Sequence, residues 1–239
     1  MRRGGFFEMT DATRESIDEL TATLARTHCF QGLRPDILVA IARHIYYHDY
    51  QADQIVIIEN EPCIGLGIVK TGRLKAVRLA ASGREQTLSV LGPGEIFNAA
   101  GVFADAPNPV TIIALEPSGL WTIPKGSLIA LQNRYPTLTQ NIARNLAQRV
   151  LKLVDLVEDL SLRTVEMRLS RQLLANAKDN VLSRESWATQ AEMSARLGTV
   201  TYVLNRTLRG LEEEGLIEVE RDEIRILDPV GLAAKAEPR

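Results

Sequence analysis

The sequence predicts an α+β protein, in which a sandwich or barrel of short strands precedes one long helix and a compact helical domain. Three patterns lead to this class. Short apolar, β-branched runs separated by turn residues fill residues 52–125, and an unbroken helical pattern runs from Pro136 to about Leu162. Beyond it, residues 217–226 alternate twice around a polar tip, as a two-stranded wing does. The domains are therefore expected at residues 1–132, 133–163 and 164–239.

The composition places the 239-residue chain among globular proteins, because 45% of its residues are hydrophobic and 24% are charged. No apolar run approaches the roughly 18 residues that a membrane helix needs, so no membrane partner is expected. The start of the chain, Met1–Glu8, lacks an apolar signal region. The two cysteines, Cys29 and Cys63, exclude a disulfide scaffold or a four-cysteine cluster in one chain and favour a cytoplasmic location.

Local patterns predict the first helices, strands and turns. Apolar spacing over Ile37–Ile45 predicts an amphipathic helix opened by Pro35, and residues 1 to about 50 look helical and mixed. The turn at Lys70–Arg73 predicts a hairpin between its flanking strands, and a second turn follows at Ala81–Arg84. At the other end of the chain, Ala233–Arg239 is expected to fray.

The long helix carries an apolar stripe typical of helix pairing. Its apolar residues are spaced 4, 3, 4 and 3 apart, with leucine at d and valine at a, the heptad arrangement that favours two parallel strands. An ordinary core helix is the alternative, since so few heptads do not exclude it. Leu151, Val154 and Leu156 form a second apolar face, expected to pack against the chain's own β domain. The predicted dimer seam consists of Leu146, Val150, Leu153, Val157 and Leu160.

The segment Thr189–Arg209 predicts a helix-turn-helix with its tight turn at Gly198, where glycine can adopt the positive φ that ends the first helix. Apolar residues of both helices are expected to face inward. Polar residues fall on the opposite face of the second helix, where arginine can fork to guanine and asparagine can pair with adenine in a major groove. The predicted DNA-binding residues are Thr189, Thr199, Thr201, Tyr202, Val203, Asn205, Arg206 and Arg209.

Two other uses of this segment stay open, namely a helical hairpin that serves packing only and a winged helix that binds protein. Residues 164–239 contain 11 Lys and Arg against 13 Asp and Glu, so the domain is not basic overall. Glu212–Glu214 must therefore point away from the DNA phosphates. Weak attraction to the phosphates predicts a moderate affinity that relies on dimeric binding.

The order of these parts resembles the cyclic-AMP receptor protein and fumarate-nitrate regulator (CRP/FNR) family over roughly residues 28–228. The resemblance rests on Lys70–Lys75, Gly92–Phe97, Gly101–Phe103 and the helix-turn-helix continued through Ile217. It implies a β-roll, or jelly-roll, sensor domain in a homodimeric transcription factor that binds pseudo-palindromic double-stranded DNA. Effector binding in the roll would reposition the two recognition helices, and RNA polymerase is the implied partner.

The cyclic-nucleotide positions of the family are not kept. Where such members place a ribose-binding Glu and a phosphate-binding Arg-Ser pair, this sequence has Ala99, Pro109 and Val110. On the long helix, Leu153 and Val154 replace the polar pair that touches the base. Burying a cyclic phosphate without a cation is costly, so cyclic nucleotide binding is not expected. The resemblance then implies an apolar effector pocket formed by Ile96, Phe97, Ala99, Ala100, Val110, Ile112, Leu153, Val154 and Val157.

Three interpretations of this pocket remain: a small apolar effector, no effector, or haem, as in nitric oxide and carbon monoxide sensors of the family. The loop Asp105–Val110 looks similar to that of denitrification-type nitric oxide regulators. His44 and His48 have the spacing at which two ligands share one helix face, but they lack a third ligand and no metal is expected. The candidate haem ligands are His28, Cys29, His44, His48 and Cys63.

The recognition helix also departs from the family. Arg206 is kept, whereas Thr201 and Tyr202 stand where family members often carry Arg or Glu, so the operator should differ from the best-known half-sites. A binding module that has lost its DNA contact is a further alternative.

An enzyme is not expected, because the chain has no Gly-x-Ser-x-Gly, phosphate-loop or His-Glu-x-x-His motif. The glycine-rich segment Gly92–Glu95 is not a phosphate cradle, since Pro93 removes an N–H donor and no lysine follows. Asp155, Glu158 and Asp159 are interpreted as a solvated helix edge rather than an acid–base pair.

Overall fold

The computed structural model describes residues 17–80, 85–183 and 189–237. The predictions made for Met1–Glu8 and for the turn at Ala81–Arg84 therefore lie outside the described residues. Within the described ranges, no helix is long and apolar enough to cross a membrane.

The described residues form two compact units. The N-terminal unit takes the residues up to Arg78 together with Ser89–Leu151. The C-terminal unit takes those of Leu79–Leu88 and Lys152–Arg239. This division falls within the long helix, and the three domains predicted from the sequence stay a prediction.

Helices and strands follow one another along both units. The helices are α1 (Ile17–Arg26), α2 (Pro35–Ala42), α3 (Ala99–Phe103), α4 (Lys125–Arg134), α5 (Pro136–Leu162), α6 (Val165–Asn176), α7 (Gln190–Arg196), α8 (Thr201–Glu213) and α9 (Pro229–Ala236). The strands are β1 (Tyr46–Tyr50), β2 (Ile55–Ile57), β3 (Gly65–Thr71), β4 (Leu74–Leu79), β5 (Glu85–Leu91), β6 (Ile96–Phe97), β7 (Thr111–Ala114), β8 (Ser118–Pro124), β9 (Val181–Ser183), β10 (Ile217–Val219) and β11 (Glu223–Ile226).

Two four-stranded sheets, in strand order β1-β8-β3-β6 and β2-β7-β4-β5, confirm the predicted roll. The hairpin predicted at Lys70–Arg73 is wrong, because β3 pairs with β8 and β6 whereas β4 pairs with β7. Gly72 makes this change of sheet at φ +80°, and a Cβ there would lie 2.2 Å from Ser118 Oγ. A glycine is required because any side chain would meet both a clash and a disfavoured backbone conformation.

The helix predicted from Pro35 is shorter than expected. Helix α2 begins at Pro35 but ends at Ala42 rather than Ile45, and β1 follows, paired with β8. Ile45 is still buried, so its apolar character reflects core packing outside the helix. His44 lies in a turn and His48 in β1, so the prediction that they share one helix face is wrong.

Two apolar clusters hold the N-terminal unit together. In the first, helices α1 and α2 and the start of α5 pack with Trp121 and its neighbours on one sheet. The second fills the space between the two sheets, and the Phe97 ring lies so close to Gly67 that a Cβ there would be 2.0 Å from it. The interior of the roll is therefore close-packed around Phe97.

Helices α6 to α9 surround a three-stranded sheet of order β10-β11-β9 in the C-terminal unit. The two wing strands are confirmed, and β9 is an additional strand that the sequence did not indicate. The prediction that Ala233–Arg239 frays is wrong for Ala233–Ala236, which belong to α9. Asp228 caps α9 by accepting hydrogen bonds from the backbone N–H groups of Val230 and Gly231, and Leu232 is fully buried.

Helix α5 has the predicted bounds, and its second apolar face is largely exposed. Leu151 is 65% exposed, Val154 is also exposed, and only Leu156 of this face is half-buried. The expectation that these residues cover the chain's own β domain stays a prediction.

Candidate nucleic-acid interface and effector pocket

The turn of the helix-turn-helix is fixed by local hydrogen bonds. Thr189 caps α7 by accepting a hydrogen bond from the Glu192 backbone N–H at 3.2 Å. Gly198 takes φ +64°, as predicted, and the Thr199 N–H donates to the Ser194 carbonyl at 3.0 Å. The chain can therefore reverse sharply between α7 and α8.

The two helices cross at Ser194, whose small side chain is buried. Its hydroxyl donates to the Gln190 carbonyl at 2.7 Å and lies 3.4 Å from the Thr201 hydroxyl. The inward-facing side chains, all buried as predicted, are Met193, Leu197, Leu204, Leu208 and Leu211. This packing fixes which face of α8 points outward.

The outward face of α8 brings several predicted DNA-binding residues together. Tyr202 is 76% exposed, and Thr201, Arg206 and Arg209 are also exposed on this face. Asn205 lies among them and is half-buried. The remaining predicted positions are the exposed Thr189 and the half-buried Thr199 and Val203.

One neighbour of this face was not singled out from the sequence. Val200, the residue before α8, is 52% exposed beside the first turn of the helix. Its place directly before the recognition helix is the signal that would have identified it. An exposed apolar side chain there suits contact with a thymine methyl group.

The acidic residues near α8 are held within the C-terminal unit. Glu212 accepts a hydrogen bond from the Val219 N–H at 3.0 Å, and Glu214 forms an ion pair with Lys235 at 2.7 Å. By contrast, the side chains of Arg206 and Arg209 make no hydrogen bond or ion pair with the part of the chain that is described. Their guanidinium groups can therefore bind phosphates or bases.

The predicted dimer seam is largely open in the single chain. Val157 is 63% exposed, and Val150, Leu153 and Leu160 are exposed as well. Leu146 is half-buried against the core of the N-terminal unit. A continuous exposed apolar stripe on one helix is typical of a surface that a partner covers.

The predicted effector-pocket residues lie in different places. Phe97, Val110 and Ile112 belong to the cluster between the two sheets. Ile96 and Ala99 belong to the other cluster of the N-terminal unit, and Ala100 is exposed. The residues taken from α5, all exposed, are Leu153, Val154 and Val157. The pocket itself stays a prediction.

The loop that carries the cyclic-nucleotide positions is closed by its own contacts. The Pro109 carbonyl accepts a hydrogen bond from Arg78 Nη1 at 3.0 Å, and Arg78 Nη2 pairs with Glu59 at 3.0 Å. A guanidinium thus lies beside Pro109, but its charge is paired with a carboxylate. Ala99, at the start of α3, is buried and offers no polar atom beyond its backbone.

Two buried asparagines, which the sequence did not single out, anchor the ends of this loop. Asn98, at φ +65°, donates through Nδ2 to Asn108 Oδ1 at 2.9 Å and to the Gly65 carbonyl at 3.3 Å. Asn108 in turn donates to the Ile58 carbonyl at 2.9 Å. Because asparagine tolerates the left-handed conformation, Asn98 can both turn the chain and tie the loop to β3.

Arg149 of α5 is a second functional candidate that was missed. Its guanidinium donates to the Ile96 carbonyl, next to the predicted pocket. Burial lowers the pKa of Arg149, and the nearby Glu95 carboxylate partly offsets this. Glu95 itself accepts a hydrogen bond from the Gly92 N–H at 2.7 Å. Within the N-terminal unit, the long helix is therefore tied directly to the segment Gly92–Ile96.

The candidate haem ligands do not fit a haem site. His28 lines a small polar cleft of about 260 Å³ with glutamine, asparagine and arginine side chains, which does not suit a porphyrin. His44 is exposed, and His48 pairs with Leu120 in the sheet. Burial strongly raises the pKa of the Cys29 thiol, so the thiolate that iron requires is disfavoured.

Cys63 is no better placed, because it is half-buried and accepts a hydrogen bond from Asn98 Nδ2 at 3.2 Å. Burial raises its thiol pKa as well. Within the described ranges, no three His, Cys, Asp or Glu side chains group as metal ligands would.

Comparison with known proteins identifies both units. Residues 47–135 match the cyclic nucleotide-binding domain family, and residues 167–235 match the Crp-like helix-turn-helix domain family. Over 219 residues the chain is 26% identical to the "CRP-like cAMP-activated global transcriptional regulator" of Mycobacterium tuberculosis, covering 89% of this chain and 98% of that one. It is 27% identical over 191 residues to the Thermus thermophilus "Cyclic AMP receptor protein", covering 80% and 88%.

Solved structures agree with this result. A protein of Eubacterium rectale described as a CRP/FNR-family transcriptional regulator superimposes with a TM-score of 0.71 at 25% identity, covering 85% of this chain and 95% of that one. FixK2 of Bradyrhizobium japonicum gives a TM-score of 0.69 at 18% identity, covering 82% and 98%. At this identity, the comparison with FixK2 shows similarity of fold alone.

Proposed function

Because the chain belongs to the CRP/FNR family of DNA-binding transcriptional regulators, we propose that it acts as a homodimer that places two copies of α8 on a pseudo-palindromic operator. The observation that carries this proposal is the outward face of α8. There Thr201, Tyr202 and Arg206 stand exposed on a helix whose other side is fully packed. A rigid helix with unpaired guanidinium groups suits insertion into a major groove.

The dimer is supported by the open seam of α5. Val150, Leu153 and Val157 together expose apolar surface that water disfavours, and their heptad spacing matches a second copy of the same helix. The weak net charge of the recognition unit gives a further reason for two copies. One copy of the recognition unit gains little affinity from phosphate contacts at a single half-site. Tight binding therefore requires two copies on two half-sites.

DNA binding is tested by footprinting the protein on the DNA upstream of its own gene. We expect protection of a two-fold symmetric site, and a binding constant that falls as salt rises, because phosphate contacts release counterions. The binding constant is measured by fluorescence anisotropy on the protected fragment. Protection of no sequence, or an affinity indifferent to salt, would contradict the proposal.

We further propose that cyclic AMP is not the effector. Two relatives are named for cyclic AMP, but here the ribose and phosphate positions hold Ala99, Pro109 and Val110, and Arg78 is paired with Glu59. No cation in this loop is left to offset a buried cyclic phosphate, as far as the described residues extend. Isothermal titration with cyclic AMP should give no saturable binding and leave the DNA affinity unchanged. Saturable binding that tightens DNA binding would refute this part alone.

A small apolar effector is the alternative that the apolar lining of the roll favours. Phe97, Val110 and Ile112 form an uncharged apolar cluster, and Arg149 ties the neighbouring Ile96 to α5, which gives a route from the roll to the long helix. Native mass spectrometry of freshly expressed protein tests this proposal and the dimer together. We expect the mass of two chains, with an additional small-molecule mass if the effector is retained.

RNA polymerase is proposed as a partner on the basis of the family alone. The relatives are regulators, and no catalytic role is proposed for this chain.

A further inference from the structure

A second cleft lies entirely within the C-terminal unit, away from the face of α8 that points outward. It has a volume of about 610 Å³, which is within the range of small-molecule sites. The last turns of α5, one face of α6 and the end of α7 form its walls. The residues that line this arginine cleft are Leu156, Asp159, Arg168, Arg171, Gln172, Leu174, Ala175, Arg196 and Leu197.

The lining of the arginine cleft is strongly positive. It contains three arginines and a single aspartate, although residues 164–239 as a whole carry more acidic than basic groups. Asp159 already forms an ion pair with Arg163, and Arg171 Nε lies 3.9 Å from the same carboxylate. Asp159 is therefore shared between Arg163 and Arg171, and Arg163 also pairs with Glu158 at 2.7 Å.

Arg168 is half-buried in the lining of the cleft. Its Nη1 donates to the carbonyls of Asp159 and Arg163 at 3.2 and 2.7 Å, which are dipoles rather than charges. Its Nε is buried and has no hydrogen-bond partner among the residues that the structure describes. Burial lowers the pKa of Arg168, as expected for a cation whose charge is only partly compensated.

We propose that the arginine cleft binds a phosphorylated small molecule of nucleotide size. Guanidinium groups recognise phosphate through paired, charge-assisted hydrogen bonds, and Arg171, whose side chain is 49% exposed, can supply such a pair. The apolar side chains of Leu156, Leu174 and Leu197 give the remainder of the ligand a surface to pack on. The positive charge and the apolar lining together select such a ligand over inorganic anions.

The α5 side of the cleft borders the dimer seam only in part. At about 100° per residue, Asp159 lies roughly 120–160° around α5 from Leu153 and Val157, whereas Leu156 lies roughly 40–60° from Leu160 and Leu153. A partner helix on the seam would therefore lie beside Leu156 and leave the Asp159 side of α5 uncovered. The site shares no residue with the predicted effector pocket of the roll.

The test uses the full chain in a buffer free of phosphate and sulfate, with ATP, AMP and inorganic triphosphate as probes. Binding is measured by isothermal titration calorimetry. We expect saturable binding of ATP, weaker binding of triphosphate, and roughly tenfold weaker ATP binding for Arg171→Gln, which loses one charged donor pair. Gln172→Glu keeps the side-chain shape and adds a negative charge to the cleft, so this variant should not bind ATP.

Two further variants serve as controls. Lys178→Gln removes a positive charge from an exposed position outside the cleft and should leave ATP binding unchanged. Arg206→Ala, on the outward face of α8, should weaken DNA binding but not ATP binding. The proposal is overturned if no probe binds, if Gln172→Glu binds like the original protein, or if Lys178→Gln or Arg206→Ala weakens ATP binding as much as Arg171→Gln does.

Discussion

Leu160 of α5 packs against Gly198 at the turn between α7 and α8, with Leu160 Cδ2 only 2.7 Å from where a Cβ on Gly198 would lie. Leu160 is also the last residue of the predicted dimer seam. The end of the long helix therefore touches the turn that orients the recognition helix. This contact gives the C-terminal unit a direct physical link between the proposed dimer surface and the DNA-binding surface.

We expect Gly198→Ala to destabilise the protein and to weaken DNA binding. The left-handed backbone conformation at φ +64° alone costs an L-residue about 1–2 kcal/mol, and the methyl group also displaces Leu160. The loss is measured as the change in free energy of unfolding in urea. Gly210→Ala is the matched control, because Gly210 lies within α8 with open space around its Cα, so alanine should stabilise the helix by about 0.5–1 kcal/mol. Equal effects at the two glycines would contradict this account.

Asn108→Ala should destabilise the N-terminal unit by roughly 1–3 kcal/mol, because it removes two hydrogen bonds, one to the Ile58 carbonyl and one from Asn98 Nδ2, each contributing about 0.5–1.5 kcal/mol. Thermal unfolding followed by circular dichroism provides the measurement. Asn176→Ala removes an exposed hydrogen bond to the Gln172 carbonyl and should change stability by less than about 0.5 kcal/mol. A loss at Asn108 no greater than that at Asn176 would show that the asparagine pair does not hold the loop.

Sequence reasoning predicted the helix bounds and turns that neighbouring residues determine. It missed the strand pairing and side-chain contacts that residues far apart in the chain determine. The bounds of α5 and the turn at Gly198 follow from a proline, a glycine and apolar spacing, all of which act over a few residues. The hairpin predicted at Lys70–Arg73 was wrong because turn residues do not specify whether the next strand joins the same sheet. The contact of Arg149 with the Ile96 carbonyl joins positions far apart in the chain, so no local pattern indicates it.

The cysteines should differ in reactivity. Cys29 is almost fully buried, and burial raises the pKa of both thiols, so each holds less thiolate at pH 8 than a free cysteine does. Iodoacetamide should therefore label only Cys63 in the native protein, more slowly than a free thiol, and its rate should keep rising above pH 9. Peptide mass spectrometry identifies the labelled site. Cys63→Ser should abolish native labelling, and urea should expose Cys29 in that variant. Rapid native labelling of Cys29 would refute its placement.

Arg206→Ala should cost roughly 1–3 kcal/mol of DNA-binding free energy and relax the preference at one base pair. The reason is its exposed, unpaired guanidinium on the outward face of α8. Fluorescence anisotropy on operators substituted one base pair at a time measures both effects. Lys178→Ala, outside α8, is the control and should change little. A uniform loss on every sequence would instead identify Arg206 as a phosphate contact.

Val157→Lys should convert the dimer into single chains at micromolar concentration. Val157 is 63% exposed at an a position of the dimer seam, so in a parallel pair two lysines would face each other and lose the apolar contact. Light scattering coupled to size-exclusion chromatography gives the mass. Asp155→Lys introduces the same side chain on the opposite side of α5, where it is exposed, and should remain dimeric. Since DNA affinity depends on two linked half-sites, Val157→Lys should also bind the operator at least about tenfold more weakly. A dimeric Val157→Lys protein would mean that another surface joins the two chains.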